Sequence, residues 1–134
     1  MITSSIKYIH PLKTKAIHNR SGNSLITDAP VDNNGEGAYF SPTDLAATSL
    51  ASCMLTMMGI YADQNNLALG EINCDLQKEM AANPRRINAI TINIDWKTDL
   101  AENEIQKLKN IALNCPVAKS LHPDIKQNVT FNML

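Results

Sequence analysis

Aromatic residues are scarce in this chain, 4% of 134 residues, so large rings cannot dominate its core. The packing must come from Leu, Ile, Ala and Met within a hydrophobic fraction of 44%. Charge of one sign is also lacking. The 12 basic and 13 acidic residues leave a net −1, which gives no electrostatic footprint for nucleic acid or an anionic membrane surface. No apolar stretch reaches the ~18 uninterrupted residues of a spanning helix. The first residues, Met1-Ile2-Thr3-Ser4-Ser5-Ile6-Lys7, lack the basic-then-apolar order of a secretory signal. Three cysteines are an odd number and too few for a secreted disulfide scaffold. These absences point to a single domain, 1–134, in the cytoplasm, without nucleic-acid or membrane partners. A reversible disulfide there would be catalytic or regulatory.

Short alternating runs and turn residues open the chain. Ile6–His10, Lys13–His18 and Asn23–Thr27 read as strands, with Arg20-Ser21-Gly22-Asn23 as a hairpin turn. Residues 28–39, rich in Pro, Gly, Asn and Asp, read as an exposed loop. Ser41-Pro42-Thr43-Asp44 is a helix start: a capping hydroxyl, proline at the first helical position, and an acid three residues after the cap. That helix runs to about Gln64 or Asn66. Leu45, Leu50, Met54, Met57, Met58 and Tyr61 cover most of its circumference, which calls for burial on several sides. Strict alternation in Glu71–Gln77 and Ile87–Trp96 around Asn83-Pro84-Arg85-Arg86 predicts a hairpin. Residues 99–114 have helical spacing, Pro116–Leu121 reads as a short helix and Ile125–Leu134 as a last strand. The order β-β-β, long α, β-β, α-α, β is α+β with a largely antiparallel sheet.

Chemistry could reside in the thiols. Cys53 lies among Ala46, Ala47, Ser49, Ala51 and Ser52, small residues that allow close approach, and Met54, Met57 and Met58 offer an adaptable apolar wall. An apolar helix interior does not by itself activate a thiol, so Cys53 would need a cation from elsewhere. Cys115 precedes Pro116, which makes it the N-cap of the following helix, where a thiolate is favoured. Cys74 alternates inward in a strand and reads as packing. No histidine stands at a metal-ligand spacing from a cysteine; His122 follows Cys115 by seven residues, too loose for zinc. No glycine-rich phosphate loop or Ser-His-Asp arrangement is present.

Ser41-Pro42-Thr43-Asp44-Leu45, Cys53 in its small-residue helix and Cys115-Pro116-Val117-Ala118-Lys119-Ser120-Leu121 together resemble the OsmC/Ohr family, the osmotically inducible and organic-hydroperoxide-resistance proteins. The resemblance covers nearly the whole chain. It implies antiparallel sheets wrapped around long central helices in an intertwined homodimer, with sites at the subunit interface. It also implies a thiol-dependent peroxidase. Cys53 attacks an organic hydroperoxide and becomes a sulfenic acid, and Cys115 condenses with it to a disulfide. An external dithiol, such as a lipoylated protein, reopens that bond, and no bound cofactor is required. Met54 and Met57 would line the substrate side.

In peroxidases of this family an arginine and a glutamate activate the attacking thiol. Arg20 is the candidate arginine. The glutamate position, ten residues before Cys53, is Thr43, and the adjacent acid is Asp44. Two other readings fit the same fold: a non-enzymatic binder of a small apolar ligand in a methionine-lined cleft, and a redox sensor whose disulfide alters partner binding.

Overall fold

The computed structural model describes all 134 residues. Its elements are β1 (Ser4–Ile9), β2 (Lys13–His18), β3 (Ser24–Asp28), a single 3₁₀ turn at Val31–Asn33, α1 (Pro42–Gln64), β4 (Glu71–Ala81), β5 (Arg86–Lys97), α2 (Glu102–Leu113), α3 (Pro116–Ser120) and β6 (Lys126–Met133). Backbone contacts divide the chain into two compact units, 1–46 and 47–134.

In the first unit, β1, β2 and β3 form an antiparallel meander. Gly22 turns the β2–β3 hairpin at a φ of 77°, which a residue without a Cβ adopts freely. Ile6 lies opposite Ala16, and Ala16 opposite Leu25. Directly opposed residues share a sheet face, so Ile6, Tyr8, Ala16 and Leu25 make one apolar face. Ile6 is 67% exposed and Tyr8 59%. The opposite face carries a buried charge, Asp28, whose Oδ2 accepts the Ala38 N–H at 3.1 Å. Its Oδ1 lies 3.7 Å from Lys13 Nζ, which also approaches Glu36 at 3.6 Å. The helix start takes the form the sequence predicts. Asp44 N–H donates to Ser41 Oγ at 3.1 Å, and Ser41 N–H donates to Asp44 Oδ2 at 3.0 Å. Two otherwise orphaned amides are thereby satisfied.

In the second unit the sheet order is β4-β5-β6. β4 pairs antiparallel with β5, and β6 pairs parallel with β5. The sheet is therefore not antiparallel throughout. The connection through α2 and α3 crosses over, as parallel neighbours require, and a local residue pattern cannot indicate strand direction. Ile90, Ile92, Ile94 and Trp96 on one face of β5 are fully buried. They form a single core with Ala47, Leu50, Met54 and Met58 of α1, Ile105, Leu108 and Ala112 of α2, and Cys115. The alternating Ile72, Cys74 and Leu76 of β4 pack against that core.

Only one stripe of α1 is buried: Ala47, Leu50, Ala51, Met54, Met58 and Ala62. The expectation of cover on several sides is not met within one chain. The helix also bears on the expectation about membrane-length segments, which concerned uninterrupted apolar runs and stands as such. Its best 18-residue window has a mean hydropathy of 1.5 and suffices to cross a membrane by length and composition, although its apolar residues are interrupted by Ser and Thr. Its buried stripe, joined to β5 and α2, marks it as a core helix.

Trp96 Nε1–H donates to the Leu69 carbonyl at 2.7 Å, closing the α1–β4 connection onto β5. Trp96→Phe removes that donor and leaves a void, and is expected to cost about 2–4 kcal/mol. Urea unfolding should show a lower midpoint with an unchanged slope.

Candidate functional site

Cys53 occupies the fourth turn of α1, and Met57 follows one turn later on the same side. Both are half-buried and border the core cluster, whereas Met54 faces inward and is fully buried within it. Met57 is thus the methionine placed beside the thiol, and Met54 is a core residue.

Cys115 links α2 to α3. Its N–H donates to the Ala112 carbonyl at 3.3 Å, and its carbonyl accepts the Lys119 N–H at 3.1 Å. Proline at the first position of α3 keeps Cys115 extended, with φ −66° and ψ 158°. This directs its sulfur back over the start of the helix. Sγ accepts the Ala118 N–H at 3.4 Å, as an N-cap side chain does.

The two thiols are brought together: Cys53 is the side-chain neighbour that acts on the Cys115 thiol, and both belong to or border the same core cluster. Burial is the main influence on Cys115 and raises its pKa above the ordinary thiol value. The Ala118 and Val117 amides work against this by stabilising the thiolate, and the neighbouring Cys53 thiol adds to the rise. Burial and the neighbouring thiol both favour the neutral form, so Cys115 keeps its proton beside the Cys53 sulfur. The cap activation expected from sequence is present in geometry and is outweighed by desolvation, since Cys115 is 0% exposed.

Cys74 is held apart from activation in another way. Burial, and then the neighbouring Asp75 carboxylate, raise its pKa. Asp44 is engaged in the helix cap described above, and Arg20 is exposed in the β2–β3 turn. Both belong to the first unit, where Asp44 also borders an open cleft with Ile26, Gly37, Ala38, Tyr39 and Phe40. No group of three His, Cys, Asp or Glu side chains gathers to hold a metal. Two features escaped the sequence reading. The Ala118 amide was foreseeable as the third helical position after the Cys115 cap. The Lys13–Asp28 pair was not, because it depends on strand register.

A thiol with a raised folded-state pKa favours the protonated chain, so its contribution to stability is complete below the unfolded value near 9. That contribution is lost as pH rises through the folded value. The reduced protein should therefore lose unfolding free energy above about pH 9. Cys115→Ser, which keeps an oxygen to accept the Ala118 N–H, should flatten this decline in denaturant titrations run at successive pH values.

A family model described as OsmC-like protein matches residues 35–130. A crystal structure from Psychrobacter arcticus, provisionally named an osmotic stress induced and detoxification response protein, is 49% identical. Its alignment covers 98% of this chain and 96% of that one, with a TM-score of 0.92. An OsmC-like protein from Mycoplasma pneumoniae is 16% identical over 98% and 95% of the two chains, with a TM-score of 0.79. The organic hydroperoxide resistance protein OsmC from Legionella pneumophila is 17% identical over 98% of each chain, with a TM-score of 0.71. These two distant likenesses bear on the fold alone. No curated protein matches the sequence. With most of its length matched by the family model and half its residues shared with the Psychrobacter protein over nearly the whole chain, this protein belongs to the OsmC-like family.

Proposed function

We propose that this protein is a thiol peroxidase that reduces organic hydroperoxides, with Cys53 attacking and Cys115 resolving. The observation that carries the reading is the juxtaposition of the two thiols at the edge of one core, with Cys115 fixed by backbone on both sides. The Cys53 thiolate attacks the terminal peroxide oxygen. The O–O bond breaks, the alkoxide takes a proton and leaves as an alcohol, and Cys53 becomes a sulfenic acid. Cys115 then gives up its proton and attacks the Cys53 sulfur. An S–S bond forms, the S–O bond breaks, and the hydroxyl leaves as water. A dithiol reopens the bond by exchange and is itself oxidised to a disulfide. A lipoylated protein is the reductant implied by family resemblance, and a reducing cytoplasm is the compartment in which such a cycle makes sense.

Half-buried Cys53 is reachable by a small peroxide, and fully buried Cys115 is suited to respond only to a neighbour. Met57, one turn from Cys53, supplies apolar contact that favours an alkyl peroxide over hydrogen peroxide. The proposal leans on neither Arg20 nor Asp44, whose activating roles come from the resemblance alone.

A second copy of the chain belongs to this reading. The apolar face of Ile6, Tyr8, Ala16 and Leu25, and the outward side of α1 at Ser49, Ser52, Thr56 and Ile60, are exposed or only partly covered in one chain. A three-stranded sheet without a buried face is marginal in water. Ile6→Asp, which disturbs no buried contact within the chain, should convert a homodimer to monomer in sedimentation velocity. An unchanged sedimentation coefficient would count against that face as the contact.

The activity is tested by thiol trapping and mass mapping after one equivalent of cumene hydroperoxide. A rapid Cys53–Cys115 disulfide with Cys74 untouched is expected. Cys53→Ser should lower peroxide consumption to the uncatalysed background, and Cys115→Ser should leave Cys53 as a trappable sulfenic acid. Slow, unselective oxidation of all three thiols would overturn the reading in favour of ligand binding.

A further inference from the structure

The inward positions of β6 are Gln127, Val129 and Phe131. Val129 and Phe131 pack against the core as their chemistry predicts. Gln127 is a polar amide in the same row, and a polar group turned toward a core is costly unless it is hydrogen-bonded. Its Nε2–H donates to the Ala118 carbonyl at 3.0 Å.

The location of that carbonyl gives the bond its meaning. Ala118 lies in the last turn of α3, where carbonyls run out of intrahelical donors. The helix has five residues and none of them is fully buried, so packing alone anchors it weakly. The Gln127 backbone, by contrast, is paired in register with Ile90 of β5, which is 0% exposed. Gln127 therefore ties a short helix to the middle of the sheet. The residue it holds is the one whose N–H donates to Cys115 Sγ at 3.4 Å.

We propose that Gln127 is a positioning residue for the resolving step: by anchoring Ala118 it keeps the α3 amides aimed at the Cys115 sulfur. This inference rests on the thiol-exchange reading above. Negative charge gathers on Cys115 sulfur twice in that cycle, as it attacks the Cys53 sulfenic acid and as it leaves when a dithiol attacks the Cys53 sulfur of the disulfide. Aligned amides stabilise that charge both times. The first step, peroxide attack by Cys53, places no charge on Cys115 and gains nothing from the tie.

The test compares wild type with Gln127→Met, which keeps length without the donor, and Gln127→Glu, which keeps shape and replaces the donor with an acceptor. Rapid-quench mapping with cumene hydroperoxide separates Cys53 oxidation from disulfide formation, with dimedone capturing the sulfenic acid. Both variants should oxidise Cys53 at the wild-type rate and close the disulfide about tenfold more slowly. The captured sulfenic acid should accumulate, and the pH profile of closure should move to higher pH. A general loss of packing would slow both steps together and would leave the profile in place. The disulfide is also formed with diamide and reopened with dithiothreitol, a measurement that needs no peroxide. Slower reopening in both variants supports the inference even if hydroperoxide proves not to be a substrate. Wild-type closure and reopening rates in Gln127→Glu would overturn it and leave the peroxidase reading intact.

Discussion

The Cys115 sulfur carries two obligations, and the arrangement around it follows from their meeting in one atom. It caps a helix, which fixes its direction from the Ala118 amide, and it lies beside Cys53, the neighbouring thiol that acts on it. Proline at position 116 enforces the first by keeping the preceding residue extended. The second depends on the core, because α1, β5 and α2 must pack correctly before the two thiols can meet. Burial then decides the balance. Two amides favour the thiolate, and the apolar surroundings hold the proton more strongly. In the proposed cycle, a resolving thiol that stays protonated until its partner is oxidised is kept out of competing chemistry.

β5 is the element against which this geometry is measured. It is the central strand, with four fully buried side chains on one face, and it aligns β4 on one side and β6 on the other. The α1 stripe that includes Met54 and Met58 seats on the same cluster, which sets the rotation of α1 and turns Cys53 and Met57 to the border of the core. On the other side, the parallel register of β6 places Gln127 within reach of α3. One strand thus determines the positions of both thiols through different neighbours.

What the sequence revealed is what depends on near neighbours along the chain. Ser41-Pro42-Thr43-Asp44 forms the reciprocal cap it encodes, and β4 alternates in burial as it alternates in residue type. Cys115 before Pro116 becomes the N-cap for the same local reason. The first strand begins at Ser4 because pairing with His18 recruits polar residues that carry no strand pattern of their own. The parallel direction of β6 stayed hidden, since alternation is identical in either direction. The net effect of burial on Cys115 depended on contacts from α1 and was not local. The last strand was legible, but the role of Gln127 within it was not, because its partner lies nine residues earlier in another element.

The parallel pairing of β5 with β6 also bears on how the protein is made. Cys115 lies in the crossover between these two strands, so its surroundings are incomplete until β6 has docked. A growing chain that has synthesised α1, β4 and β5 already contains Cys53 and Cys74, and a bond between them would be a dead end. It has no Cys115 to offer until the crossover that leads to residues 126–133 has been made. Topology therefore acts as a timer, in which the thiol pair that the proposed cycle needs is assembled only after the β5–β6 crossover has been made.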